Sequence, residues 1–266
     1  MQNSSSSFQR STVNAFDVSG KTALITGATR GIGLGAARAL AQGGAKILLL
    51  GRDKEELERC GEELREFGCE TLSLCFDLMQ TGRIRPFLDG IFAEHGIPDI
   101  LVNSAGIQRR GEAIDISLRD FNEVLGINVT ALFEVSRTFA RHRIAAGGGG
   151  KVINLASLMT SAARPNTSPY TASKGAVGQL TKALAVEWAK YGIYVNAIAP
   201  GYIDTDLNAA LIADPSFDQW VKSRCPLGRW GTPEDIAWPI VFLASSASDF
   251  VTGQVIYVDG GWLATF

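Results

Sequence analysis

Seven short apolar runs, separated by stretches of other character, constrain this chain more than any other feature. They are Ala23–Ile25, Ile47–Leu50, Leu72–Phe76, Ile100–Val102, Val152–Leu155, Val195–Ala199 and Val255–Val258. Runs that are apolar without alternation belong to strands covered on both faces, the mark of a parallel sheet. Strands that alternate with helices build right-handed βαβ units. The pattern therefore predicts an α/β fold: a doubly wound parallel sheet of about seven strands, with helices on both faces. Helical composition is read over Asp53–Phe67, Leu118–Ile144 and Ser168–Tyr191. Asp53 and Glu56 have the spacing of an N-terminal capping box. Gly147–Gly150 reads as a turn between a helix and a strand. Tyr202–Arg229 breaks the alternation and is too long for a simple connection, so it is a candidate loop over a substrate. There is no second core, repeat or linker, and residues 17–266 read as one domain.

Composition removes several classes of function. Of 266 residues, 46% are hydrophobic, and 25 basic against 27 acidic residues leave a formal net charge of −2. That balance carries no electrostatic footprint for nucleic acid. No apolar run approaches the ~18 residues that would span a membrane. Only two histidines, His95 and His142, are present, so no His-rich metal site is expected. Cys60, Cys69, Cys75 and Cys225 include no C-x-x-C pair and read as reduced, mostly buried thiols of a cytosolic protein. Residues 1–16 hold four consecutive serines and no apolar core of a signal peptide. They read as a disordered tail.

Between the first apolar run and the next helix lies Thr26-Gly27-Ala28-Thr29-Arg30-Gly31-Ile32-Gly33. Glycines at Gly27, Gly31 and Gly33 let the backbone turn sharply and approach a pyrophosphate, with the helix N-terminus aimed at it. An acid at the end of the second strand would hold the ribose 2′-OH of NAD. Gly51 stands there instead, followed by Arg52. Arg52 and Arg30 can flank a 2′-phosphate, which favours NADP, with NAD as the alternative. Asp77 either accepts from the adenine amine or closes a turn. Asn103-Ser104-Ala105-Gly106 ends the fourth strand with small residues that leave room for a ligand.

Tyr170 and Lys174 stand four apart on a helix and share a face. An ammonium beside a phenol favours the phenolate and makes it a usable base. Ser157, just beyond the fifth strand, can bond a substrate oxygen. Asn128 is polar amid Val124, Leu125, Ile127, Val129 and Leu132, and a water chain to Lys174 would satisfy it. Together the glycine turn, Asn103-x-Ala-Gly106, Asn128, Ser157 and Tyr170-x-x-x-Lys174 resemble the short-chain dehydrogenase/reductase family, from about Val18 to Phe266. The one departure is Ser104, where that family usually has a second Asn. The resemblance implies a single Rossmann-type domain, a nicotinamide cofactor and an Asn-Ser-Tyr-Lys tetrad, in which Lys174 also holds the nicotinamide ribose. It further implies cofactor contacts at Thr29, Ile32, Leu78, Ala105, Pro200, Gly201, Ile203 and Thr205, and a homotetramer with two-fold symmetry. The segment Leu118–Ile144 is apolar on more than one face, as a helix between the sheet and a partner would be.

Gly106-Ile-Gln-Arg-Arg110, Ala163-Arg-Pro165, Tyr202-Ile-Asp-Thr-Asp206, Pro226-Leu-Gly-Arg-Trp230 and Val258-Asp-Gly-Gly-Trp262 resemble bacterial gluconate 5-dehydrogenases. They also resemble 2-dehydro-3-deoxygluconate 5-dehydrogenases. That resemblance implies an acidic open-chain sugar or a polyol as substrate. An acid needs a cation, and the candidates are Arg110 first, then Arg109 and Arg164. The rival readings are a carrier-bound 3-oxoacyl reductase and a cofactor-binding regulator without turnover. The intact tetrad argues against the second.

Overall fold

The computed structural model describes residues 15–265. All seven expected strands form: β1 (Thr22–Thr26), β2 (Lys46–Gly51), β3 (Thr71–Cys75), β4 (Ile100–Asn103), β5 (Gly150–Leu155), β6 (Ile193–Pro200) and β7 (Val255–Val258). They make one parallel sheet in the order β3-β2-β1-β4-β5-β6-β7. The chain runs one way from β1 to β3, then returns past β1 to β4. The sheet therefore splits at the C-terminal ends of β1 and β4, where Thr26 pairs with Asn103. A doubly wound sheet binds its ligand in that crevice.

Alternate strand residues serve two cores. Ala23, Ile25, Ile47 and Leu49 face one side, with α1 (Gly31–Gln42), α2 (Lys54–Arg65) and α9 (Pro233–Ala244). Leu24, Leu48 and Leu50 face the other, with α3 (Thr81–His95), α5 (Leu132–Ala145) and α6 (Ser168–Trp188). Each strand thus buries both faces, which is why its sequence shows no alternation.

Several local expectations are refined. Asp53 caps α2 by accepting from the Glu56 N–H, but the Glu56 carboxylate goes to Arg59, so half of the capping box forms. Gly147 and Gly148 do make the turn, and Gly150 already belongs to β5. The single helix expected over 118–144 is α4 (Leu118–Leu125), a wide π turn at Gly126–Ala131, then α5. Helix α3 had no sequence counterpart, because Pro86, Gly82 and Gly90 interrupt its pattern. The stretch 202–229 is not plain loop. It carries α7 (Ala209–Ile212) and α8 (Pro215–Arg224). Of the thiols, Cys60 and Cys225 are buried, Cys69 is half-buried and Cys75 is exposed. The tail at 1–16 lies outside the described residues except for its last two. Among the described residues, no helix is long and apolar enough to cross a membrane, and no cluster of His, Cys, Asp or Glu is arranged to hold a metal.

Candidate active site

The crevice is shaped by backbone that cannot carry side chains. Gly27 has φ +64°, and a Cβ there would stand 2.8 Å from the Ala105 Cα. A Cβ on Gly33 would be driven into the Gly27 carbonyl oxygen. Helix α1 starts behind this turn with no side-chain cap at Arg30 and no acid in its first turn. Its leading N–H groups are left for an anion, and the positive end of the helix dipole favours one. These residues fit a pyrophosphate. Thr26, overlooked as a site residue, accepts from the Ser104 and Ala105 N–H groups at 3.1 Å each and so sets the mouth of the crevice.

The remaining cofactor candidates divide. Gly51 lies against Thr29: a Cβ there would be 3.3 Å from the Thr29 Cγ2. Arg30 and Arg52 are the next residues in sequence after this contacting pair. Arg52 has no acid partner among the described residues. Arg30 lies 4.0 Å from Asp206, both side chains about 70% exposed, a separation worth little in water. Thr205 reaches the same turn, since a Cβ on Gly31 would be 3.2 Å from its Cγ2. Gly201 is held against Asp259, and Pro200 ends β6. Ile32 is half-buried against the core. Asp77 closes a turn, accepting from the Met79 N–H at 3.0 Å with one oxygen and keeping the other.

Three candidates are corrected. Leu78 and Ile203 bury their side chains in the core at 6% and 3% exposure, which leaves only their backbone for a ligand. Asn103 points into the protein: its Nδ2 donates to Ser136 Oγ and to Asn154 Oδ1, both at 2.9 Å. Asn154 continues the ladder to Thr181. The Asn103 amide ties β4 to β5, which leaves its backbone for a ligand.

Across the sheet ends, the four tetrad candidates converge. The π turn carries Asn128, which is fully buried. Its Oδ1 accepts from the Ile107 N–H at 2.9 Å, and its Nδ2 donates to the Ile107 carbonyl and to Ser173 Oγ at 3.0 Å. The water chain expected to satisfy this side chain is not needed: backbone and Ser173 do so directly. Ser173 in turn donates to the Tyr170 carbonyl at 2.7 Å, so Asn128 braces the first turn of α6. Lys174 donates to the Leu155 carbonyl at 2.5 Å, and burial pushes its ammonium down to about 8. Its Nζ lies 5.5 Å from the centre of the Tyr170 ring. Ser157 accepts from the Met159 N–H and its own N–H donates to Thr160 Oγ1, which fixes its hydroxyl at the mouth of β5. A Cβ on Gly106 would meet Asn128 Oδ1 at 3.4 Å and Lys174 Nζ at 3.9 Å, which joins the crevice to this group.

The electrostatics differ from the expectation. Burial dominates at Tyr170 and raises its phenol above the usual value. The Ser157 hydroxyl and then the Arg110 charge pull it back. Lys174, expected to lower the phenol, stands 5.5 Å from the ring centre with its ammonium tied to the Leu155 carbonyl.

Ser157 and Tyr170 open into a cavity also lined by Gln108, Arg110, Arg164 and Tyr202, and covered by Leu207 and Leu211 of the 202–229 stretch. No acid lines it. Arg109 is corrected as a substrate cation: it forks onto Glu123 at 2.9 and 3.0 Å and lies 3.8 Å from Asp120. Arg110, next to it, faces the cavity and has only Gln108 Oε1 at 3.3 Å. Burial, then the like charge of Arg164, lowers its hold on the proton. Arg164 donates to the Tyr202 hydroxyl at 3.3 Å. The arrangement presents a hydrogen-bond donor, a phenol and two guanidinium groups to one small molecule.

With a dinucleotide crevice on one side and this group on the other, the chain belongs to the short-chain dehydrogenase/reductase family of oxidoreductases. Residues 27–263 match the family described as enoyl-(acyl carrier protein) reductase. The chain is 42% identical over 246 residues to a gluconate 5-dehydrogenase of Gluconobacter oxydans (strain 621H), covering 92% of this chain and 96% of that one. It is 45% identical over 252 residues to a 2-dehydro-3-deoxy-D-gluconate 5-dehydrogenase of Escherichia coli (strain K12), covering 95% and 99%. A solved gluconate 5-dehydrogenase from Burkholderia cenocepacia J2315, in complex with NADP and tartrate, superimposes with a TM-score of 0.92 at 42% identity, covering 96% of this chain and 99% of that one.

Proposed function

We propose that this protein is an NADP(H)-dependent dehydrogenase that interconverts the C5 hydroxyl and ketone of a six-carbon sugar acid, D-gluconate and 5-dehydro-D-gluconate first. The observation that carries the reading is Arg110: a guanidinium with no acid partner among the described residues, in the cavity that holds Ser157 and Tyr170. Arg110 takes the substrate carboxylate. The two relatives named above differ in their acid but share a reaction at C5. C5 lies four bonds from C1, so the carboxylate-binding cation must sit across the cavity from Ser157 and Tyr170.

Ser157 donates to the reacting oxygen. Tyr170 gives its phenol proton to that oxygen in reduction, and as phenolate takes it in oxidation. Lys174 holds the nicotinamide ribose, and Asn128 braces the turn that carries Tyr170. Arg30 and Arg52 hold the 2′-phosphate, and the Gly27–Gly33 turn holds the pyrophosphate. When bound, the nicotinamide gives or accepts the hydride. The 202–229 stretch covers the substrate. The half-exposed Phe121 and Phe133, with Val186 and Trp238 at 81% and 57% exposure, supply apolar surface for a homotetramer. The free cysteines fit a cytoplasmic enzyme.

The test is a panel of D-gluconate, 2-dehydro-3-deoxy-D-gluconate, neutral polyols and 3-oxoacyl thioesters, with absorbance read at the reduced nicotinamide. NADP-linked turnover of a C5 sugar acid above all others is expected. Preference for a neutral polyol or a thioester overturns the reading.

A further inference from the structure

The cavity holds a second unpaired cation, and its mounting differs from that of Arg110. Arg164 has no acid partner among the described residues, and its guanidinium carbon stands 4.7 Å from the centre of the Phe217 ring. One Nη donates to the Tyr202 hydroxyl at 3.3 Å. Tyr202 cannot easily turn away. Its ring is enclosed by Trp262 at 4.7 Å, Trp230 at 5.6 Å, Phe217 at 5.8 Å and Trp220 at 5.9 Å between centroids. Trp230 is itself tied by its indole N–H to Asp218 at 2.8 Å. A guanidinium held over a ring and bonded at one nitrogen leaves its other N–H groups for a fork. Arg110 and Arg164 also repel each other across a cavity that no acid lines among the described residues. Placing two like charges together without a counter-charge is unfavourable, and an anion between them relieves it.

We propose that Arg164 is the second half of a two-arginine carboxylate clamp, and that Tyr202 is the positioning residue that aims it. This rests on the reading of the substrate as an acid. Arg110 comes from the β4 side, Arg164 from the loop before α6, and Phe217 and Trp220 from the covering stretch. The carboxylate therefore joins the three parts of the site. Tyr202 acts through Arg164 and touches no reacting atom.

The experiment compares D-gluconate with D-gluconamide, which keeps the polyol and loses the charge. Arg164→Met should raise KM for D-gluconate roughly 10- to 100-fold, and Tyr202→Phe, which keeps the aromatic ring, about 3- to 10-fold. In both, kcat and the KM for D-gluconamide should hold. Arg164→Lys should recover part of the loss, because the charge returns without the fork. Malonate, a non-reacting acid, should compete with substrate in the wild type and lose potency in both variants. Equal effects on acid and amide would assign Arg164 and Tyr202 to packing of the covering stretch and overturn the clamp. Unchanged KM and malonate potency would do the same. A wild type that ignores D-gluconate but is inhibited by malonate through Arg164 would sink the sugar-acid reading and leave the clamp standing. Arg164→Met leaves every ring of the aromatic cluster in place, so it decides the matter even if Tyr202→Phe fails to fold.

Discussion

The two halves of this site are specified in different ways. The cofactor half is made of backbone: Gly27 and Gly33 leave no room for a Cβ, and α1 presents bare N–H groups. The substrate half is made of side-chain charge: among the described residues Arg110 and Arg164 lack acid partners, while Arg109, the neighbour of Arg110, is neutralised by Glu123. The first should fail when an atom is added, the second when a charge is removed. Tyr170 stands between them and should fail in chemistry alone.

The largest effect should come at that junction. Tyr170→Phe removes the proton carrier and keeps the ring that Lys174 underlies. It should lower kcat by about 10²- to 10⁴-fold with cofactor affinity unchanged. Retained kcat in a rapid-mixing assay would show that another group moves the proton.

Next in size is the backbone half. Gly27→Ala forces a left-handed φ on a side chain and drives its Cβ toward Ala105. Cofactor affinity by fluorescence titration should fall at least about 10-fold, since the ribbon that meets the pyrophosphate must move. Unchanged affinity would mean that the turn yields, and the contrast between the halves would fail.

Lys174 sharpens the contrast from below. Its ammonium is lowered from 10.5 to about 8 by burial, so the unfolded chain binds that proton more tightly than the folded one. The cost is fully present below pH 8 and is relieved as pH rises from about 8 to 10.5. Relative to Lys174→Met, the wild type should gain stability over that window, by about 3 kcal/mol at most. Parallel denaturation curves of the two proteins from pH 7 to 10.5 would contradict a buried, charged Lys174.

Much of the fold was legible because strands buried on both faces are continuous apolar runs, as in Ile47–Leu50. Helix α3 was not, since Pro86 and two glycines mask its pattern. The π turn was not, since Asn128 sits in an apolar segment that reads as ordinary helix. The tetrad was legible as spacing, but its surroundings were not: the burial that raises the Tyr170 phenol and the carbonyl that ties Lys174 are set by the fold. Motif membership also hid direction. Asn103, Leu78 and Ile203 lie in motif stretches, and their side chains turn into the core. Arg109 and Arg110 are identical in type, and only the fold brings Glu123 to one of them. The aromatic cluster around Tyr202 is drawn from positions 202 to 262, with no local pattern to betray it.

The smallest effect concerns cofactor choice. Arg52→Ala removes a guanidinium that no acid pairs among the described residues. It should raise KM for NADP(H) roughly 10-fold and leave KM for NAD(H) within about 2-fold. Equal changes for both would remove Arg52 from the 2′-phosphate.

The central claim is that an acid-free guanidinium in the cavity selects an acid. It is tested most directly by kcat/KM for D-gluconate against D-gluconamide in the wild type and in Arg110→Met. A charge-assisted pair is worth ~1.5–3 kcal/mol, so the ratio should favour the acid in the wild type and collapse by roughly 10- to 150-fold in the variant. A ratio that Arg110→Met leaves unchanged would contradict the account.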